Sequence, residues 1–376
     1  MIYLDNSATT YKKPFSVRYQ INKFLQSANP GRSGHDLSMR SAMMIINTRI
    51  LLQEMYNAPS TENVIFTSNC TEALNLAILG TVKKGGHIIV STFEHNSVLR
   101  PIAHLANEGL ITYTVIKPQN NHTISYEDVK NAIQNNTYMV IVNHITNTTG
   151  DENDIYNIGR LCKENSFIFL CDCAQSGGHK LVDMQKHNIN LLTIAGHKGF
   201  FAPQNIGALI INGVNVHPIK YGGTGTSSID INQPNELPEM LESGTLSTPL
   251  IAGLNAGIKY LNIYLNKNSR KIAKLTQYLL NRLSKIDNIS IYTDKTSTNG
   301  VVLFNLKQYD STQVSEYLNK HKIYVRGGLH CAPLAHQFLN TTKKGAVRVS
   351  LNNFNNKHHI DKLIKTLKVL NNTNTN

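Results

Sequence analysis

Two hydrophobic rhythms alternate along the first two thirds of the chain. Short runs rich in branched and aromatic residues, "NVIFTS", "HIIVST", "ITYTVI", "YMVIVN", "FIFLCD" and "IGALII", are too brief for helices and read as buried strands. Between most of them lie stretches with apolar residues every three or four positions, such as "TEALNLAILG", "VLRPIAHLANEG", "SYEDVKNAIQ" and "DIYNIGRLCKEN". Strands separated by helices predict an α/β fold, a mainly parallel sheet covered on both faces. Ligands of such sheets sit beyond the C-terminal strand ends, so the residues that follow each strand carry the functional information.

After about residue 250 the pattern changes. Two long amphipathic helices are predicted at 251–266 and 269–285, then short strands around 288–293, 300–306, 323–326 and 346–351. A last helix is predicted at about 358–370, followed by a frayed tail, "NNTNTN". The expected division is a large unit of residues 13–250 and a smaller α/β unit of residues 1–12 with 251–376.

Composition narrows the class. The 376 residues are 41% hydrophobic, enough for a substantial core. "MIYLDNSATTYKKP" has no basic segment leading into an apolar run, and no stretch approaches the roughly 18 apolar residues of a membrane span. The expectation is a cytoplasmic protein with no membrane partner. The net charge of +13 comes from lysines scattered through helical patterns, so a solvated basic surface is expected rather than a nucleic-acid interface. A basic patch for an acidic protein partner stays open. Five cysteines, Cys70, Cys162, Cys171, Cys173 and Cys331, have no framework spacing, which argues against a disulfide scaffold.

The strand ends collect polar groups. Thr71 stands at a helix start suited to an anion, His95 just past a strand, and Asn147 past another. Asp172 closes "FIFLCD" with Gln175 behind it, and Lys198 lies in "AGHKG" between Gly196 and Gly199. Each alone is an ordinary cap or loop residue. Together they suit one chemistry: a lysine amine that forms a Schiff base with an aldehyde cofactor, and a carboxylate that keeps a pyridine ring protonated as an electron sink. Pyridoxal phosphate fits, with its aldehyde on Lys198, ring nitrogen on Asp172, ring oxygen near Gln175 and phosphate at the Thr71 helix start.

The motifs "YLDNSATT", "NPGRSGHDLS", "TEALNLAI", "EHNS", "CDCAQSGGH", "AGHKG", "GGTGTSS", "ESGT", "RGGLHCAPLAH" and "VRVSLNNFN" resemble, in order and over nearly the whole chain, the class V aminotransferase group of fold type I pyridoxal-phosphate enzymes. Within it they are most similar to the cysteine desulfurase and selenocysteine lyase family. The resemblance implies a large domain with a seven-stranded sheet and a smaller C-terminal α/β domain. It implies that His95 stacks on the coenzyme ring and shuttles a proton. Cys70 through its backbone, Thr71 and His197 would bind the phosphate, and Thr245 would reach the phosphate of a partner subunit, making a homodimer the working unit. Arg348 and Asn147 would take the substrate carboxylate, with Arg326, His35 and Ala8 also assigned to the substrate. Cys331 would be the nucleophile that removes sulfur from L-cysteine, leaving L-alanine and a persulfide for a sulfur-acceptor protein. Arg326 and His330 are expected to lower its thiol pKa.

The sequence also departs from the family pattern. Ala195 stands where a hydroxyl residue usually meets the phosphate, with Thr193, Thr224 or Thr226 as replacements, and Cys70 is expected to lie close to the phosphate. Cys171 and Cys173 are taken to face opposite sides of their strand and so not to share a zinc. The competing readings are selenocysteine lyase, a class V aminotransferase or lyase with Cys331 incidental, and a non-catalytic basic binding protein.

Overall fold

The computed structural model describes residues 1–30, 33–119, 122–226 and 229–372. Its centre is a seven-stranded sheet in the order Val64–Thr67, Gly207–Ile211, Leu191–Ala195, Ile168–Asp172, Thr137–Asn143, Gly86–Ser91, Ile111–Ile116. Five neighbouring strands pair in parallel, and Gly207–Ile211 runs antiparallel to both of its neighbours. The mainly parallel sheet is therefore as predicted. Strand residues pack alternately into two cores. Val140, Phe169, Cys171, Leu192 and Ile210 meet the helices Asp36–Tyr56, Ile155–Glu164 and Thr248–Leu283 on one face. Ile88, Met139, Leu170 and Leu209 meet Cys70–Leu79 and Asn96–Asn107 on the other.

A second, antiparallel sheet has the order Arg326–Gly328, Ala346–Ser350, Val301–Leu306, Ile289–Ile291. It packs with the helices Ser311–Lys320 and Lys357–Asn372 around a third core. The strand Ile2–Tyr3 pairs in parallel with Ile323–Tyr324, and Asp5 bridges Ser350, which ties the N-terminal segment to this part of the molecule.

One expectation fails here. The two helices predicted at 251–266 and 269–285 are a single 36-residue helix, Thr248–Leu283. The polar "NKNS" between them contains no Gly or Pro, so nothing in it breaks the backbone ladder. Asn268 is buried, and the Ser269 hydroxyl donates to the His179 carbonyl at 2.6 Å. The last four residues of the tail, together with Gly31 and Arg32 of "NPGRSGHDLS" and Ser227 and Ser228 of "GGTGTSS", lie outside the described residues.

Candidate active site

A cavity of about 190 Å³ opens at the C-terminal ends of the parallel strands. Ala8, Cys70, Thr71, His95, Asn147, Asp172, Gln175, His197, Lys198, Arg326 and Arg348 all line it. Residues far apart in sequence thus meet at one place. Close packing sets their spacing. Gly178, with φ of 79°, lies so near Gly199 that a Cβ there would come within 2.4 Å of its backbone, pressing "SGGH" against the Lys198 turn. A Cβ on Gly207 would fall 2.6 Å from the Asn69 carbonyl carbon, so this glycine lets the sheet meet the helix start at Cys70.

Asp172 ends its strand with Oδ1 fully engaged, accepting from the Ala174 N–H at 2.8 Å, the Thr193 hydroxyl at 3.4 Å and the Cys70 thiol at 3.6 Å. Its Oδ2 has no hydrogen-bond partner among the described residues. Burial raises this carboxyl's pKa, opposed by the Ala174 N–H and Lys198. Burial lowers that of the Lys198 amine, against Cys70 and Asp172. The Cys70 thiol turns to Asp172, and burial with that carboxylate drives its pKa well up. Contrary to expectation, Thr193 also contacts Asp172 and does not line the cavity, and Thr224 and Thr226 contact each other on the surface, so none of the three supplies a hydroxyl to the cavity of its own chain.

His95 caps the helix Asn96–Asn107, its Nδ1 accepting the Ser97 N–H at 3.1 Å. The Ser97 hydroxyl lies 2.9 Å from the same Nδ1 and 2.8 Å from the Thr71 hydroxyl, a bridge the sequence reading missed. Burial, reinforced by Lys198 and nearby arginines, takes His95 down to about 4. At the neighbouring helix, Asn69 caps the Glu72 N–H at 2.9 Å, leaving the Cys70 and Thr71 N–H groups without intrahelical acceptors. The Gln175 amide donates to the Ser7 carbonyl at 3.2 Å.

Arg348 is 1% exposed. It donates through Nη1 to the Asn147 carbonyl at 2.9 Å and through Nη2 to Asp5 at 3.0 Å, while Nε has no partner among the described residues. Asp5 was not among the expected site residues, because nothing local connects it to Arg348. The Asn147 amide donates to the His330 carbonyl at 2.8 Å, and its Oδ1 has no partner among the described residues.

Cys331 is half-buried beside the cavity wall, in a left-handed turn with His330. An Arg326 Nη2 approaches its Sγ at 3.5 Å, and its carbonyl accepts the Asn96 N–H at 2.8 Å, tying this loop to the His95 helix. His330 does not join Arg326 at the thiol. Its ring nitrogens meet His336 at 3.1 Å and the Arg326 carbonyl at 3.3 Å, and burial keeps the ring neutral. Three expected residues are not part of the cavity lining: Cys331, which stands beside it, and His35 and Thr245, which lie apart from it. His35 is an exposed cap that accepts the Ser38 N–H, and Thr245 is exposed on a separate cleft with Leu246 and Glu242.

The residues present fit pyridoxal phosphate. Among the described residues, His197 Nδ1, Asn147 Oδ1 and Arg348 Nε are buried polar atoms of the lining residues without hydrogen-bond partners, next to a lysine amine and to the Cys70 and Thr71 N–H groups that the Asn69 cap leaves free. The fold and this donor set define a fold type I pyridoxal-phosphate enzyme. The family model described as "Aminotransferase class-V" matches residues 2–363, and the chain belongs to that family. It is 31% identical to a probable cysteine desulfurase of Borreliella burgdorferi, over 98% of this chain and 91% of that one. It is also 31% identical to a probable cysteine desulfurase of Methanothermobacter thermautotrophicus, over 98% and 94%. Among solved structures, the apo cysteine desulfurase of Thermococcus onnurineus superposes with a TM-score of 0.92 at 29% identity, covering 99% of this chain and 95% of that one.

Proposed function

We propose that the chain is a cysteine desulfurase that converts L-cysteine to L-alanine and retains the sulfur as a persulfide on Cys331. The observation that carries this reading is the meeting of Lys198, Asp172 and Arg348 around one cavity, with an arginine-held thiol beside its wall. Bound there, pyridoxal phosphate supplies an aldehyde that captures amines and a protonated ring that draws electrons from the amino acid's Cα. Lys198 would hold the aldehyde and, once displaced by the substrate amine, take the Cα proton at Nζ. Asp172 would keep a proton at the ring nitrogen through Oδ2, and Gln175 would face the ring oxygen. His197, Thr71 and the N–H groups at Cys70 and Thr71 would hold the phosphate.

Arg348 and Asn147 would fix the substrate carboxylate, with Ala8 and Arg326 bounding its space; His35 stands apart from this set. His95 would face the ring as a neutral Nε2–H donor. The Cys331 thiolate would then take the sulfur, the new S–S bond forming as the substrate C–S bond breaks. The exposed position of Thr245 supports a homodimer in which it reaches the partner's site. Residues 13–250 would form the coenzyme unit, and 1–12 with 251–376 the unit that closes over it. Delivery of the persulfide to an acceptor protein, for iron–sulfur cluster assembly or thiolation in the cytoplasm, completes the reading. Among the described residues, no helix is long and apolar enough to cross a membrane.

The test is incubation of coenzyme-loaded protein with L-cysteine and a reductant. Alanine and sulfide are expected in equal amounts, and Cys331→Ser should keep the coenzyme's visible band while losing both products. Unchanged turnover in that variant, or a keto acid in place of alanine, would overturn the assignment.

A further inference from the structure

Cys171 and Cys173 flank Asp172, and the structure reverses the expectation that they face apart. Residues two positions apart on a strand share a face. The two sulfurs lie 3.7 Å from each other, fully buried in the core opposite the coenzyme cavity. Metal binding does not explain the pair, because no group of three or more ligating side chains occurs among the described residues.

The surroundings are built for chemistry. His144, 4% exposed, accompanies Cys173, and its Nε2 lies 3.3 Å from Glu152, which pairs at 2.8 Å with Lys180 nearer the surface. Burial alone pushes the Cys173 thiol up, but Cys171 and His144 outweigh it and bring it down to about 6. Burial likewise opposes a charged His144, and Cys173 with Glu152 nevertheless raises it to about 9. Burial pushes Cys171 well up, so the two neighbouring thiols are shifted in opposite directions. The Ser176 hydroxyl also favours a charged Cys173, and among the described residues the buried Tyr56 phenol beside the pair has no hydrogen-bond partner.

We propose that Cys171 and Cys173 form a reversible dithiol–disulfide site, oxidised by a small peroxide, whose closure displaces Asp172 and loosens the coenzyme. The Cys173 thiolate attacks a peroxide oxygen, the O–O bond breaks, and sulfenic acid and hydroxide form. The Cys171 sulfur then attacks the sulfenic sulfur, forming the S–S bond, while its proton leaves with the hydroxyl as water. A dithiol reductant reverses the change. Shortening a 3.7 Å contact to a bond of about 2.05 Å moves both neighbours of Asp172, whose Oδ1 is held by Cys70, Ala174 and Thr193. The link to coenzyme retention rests on the proposed function; the dithiol chemistry does not.

The experiment treats the holoprotein with hydrogen peroxide, then blocks free thiols and maps peptides by mass. The peptide holding both cysteines should lose about 2 Da and regain it with dithiothreitol. Cys171→Ser should instead give a dimedone-trapped sulfenate at Cys173, and Cys173→Ser neither product. Oxidised protein should release its coenzyme several-fold faster than reduced protein, read from the visible band. Absence of the 2 Da product, or disulfides only to Cys331, overturns the site. A disulfide with unchanged coenzyme release overturns the coupling, whereas failure to bind pyridoxal phosphate at all would count against the proposed function alone.

Discussion

A neutral imidazole carries one ring proton, and at His95 the Ser97 N–H already occupies Nδ1, so that proton resides on Nε2. Protonating Nδ1 would cost the cap bond, which agrees with the depressed pKa. We propose on this ground that His95 donates rather than shuttles a proton. His95→Gln should retain more turnover than His95→Ala, and wild-type kcat should show no ionisation near 6.5 that His95→Gln removes. At Ala195 the cavity wall presents a methyl group where the family pattern has a hydroxyl. Ala195→Ser should tighten pyridoxal phosphate binding by about 1.5 kcal/mol, measured by titrating the apoprotein. Asp172 was legible because it closes a recognisable strand and Lys198 because two glycines bound its turn, although the strand Leu191–Ala195 that leads into that turn was not among those read from the sequence. The Ser97 bridge to Thr71 and the Asp5 clamp on Arg348 were not, since they join positions 26 and 343 apart.

The strands were legible wherever apolar runs were short and branched, because burial on both faces needs that composition. The long helix was not, because four polar residues in succession resemble a loop when their burial and tertiary contacts are unknown. Its continuity can be tested at Lys267, an exposed position inside the helix. Lys267→Pro should cost about 3 kcal/mol in denaturant unfolding. A loss below about 1 kcal/mol would indicate a break at that point. Gly207 offers a second test. Adding a methyl group there forces the sheet from the Cys70 helix start, so Gly207→Ala should destabilise by about 1 to 3 kcal/mol and weaken coenzyme binding.

For the molecule as a whole, buried ionisable groups tie stability to pH. Burial raises Glu94 to about 8, while Ser91 and Asn143 donate to its Oε1 and Oε2 has no partner among the described residues. The native state holds this proton and the unfolded chain releases it above about 4.3, so folding loses stability as pH rises toward 8 and no further beyond. Glu94→Gln removes that loss. The melting-temperature advantage of the variant over wild type should grow between about pH 4.5 and 8 and then level off; an advantage constant with pH would contradict a protonated native Glu94.

The clamp on Arg348 also bears on how the enzyme comes into being. Asp5 leaves the ribosome 343 residues before the guanidinium it grips, and Ile2–Tyr3 must wait for Ile323–Tyr324 before it has an edge to join. A chain made only as far as Ile211 holds every strand of the seven-stranded sheet, yet it lacks the arginine proposed to receive the amino acid. Catalysis is thereby postponed until synthesis is almost finished, and an interrupted translation product has no means of releasing sulfur.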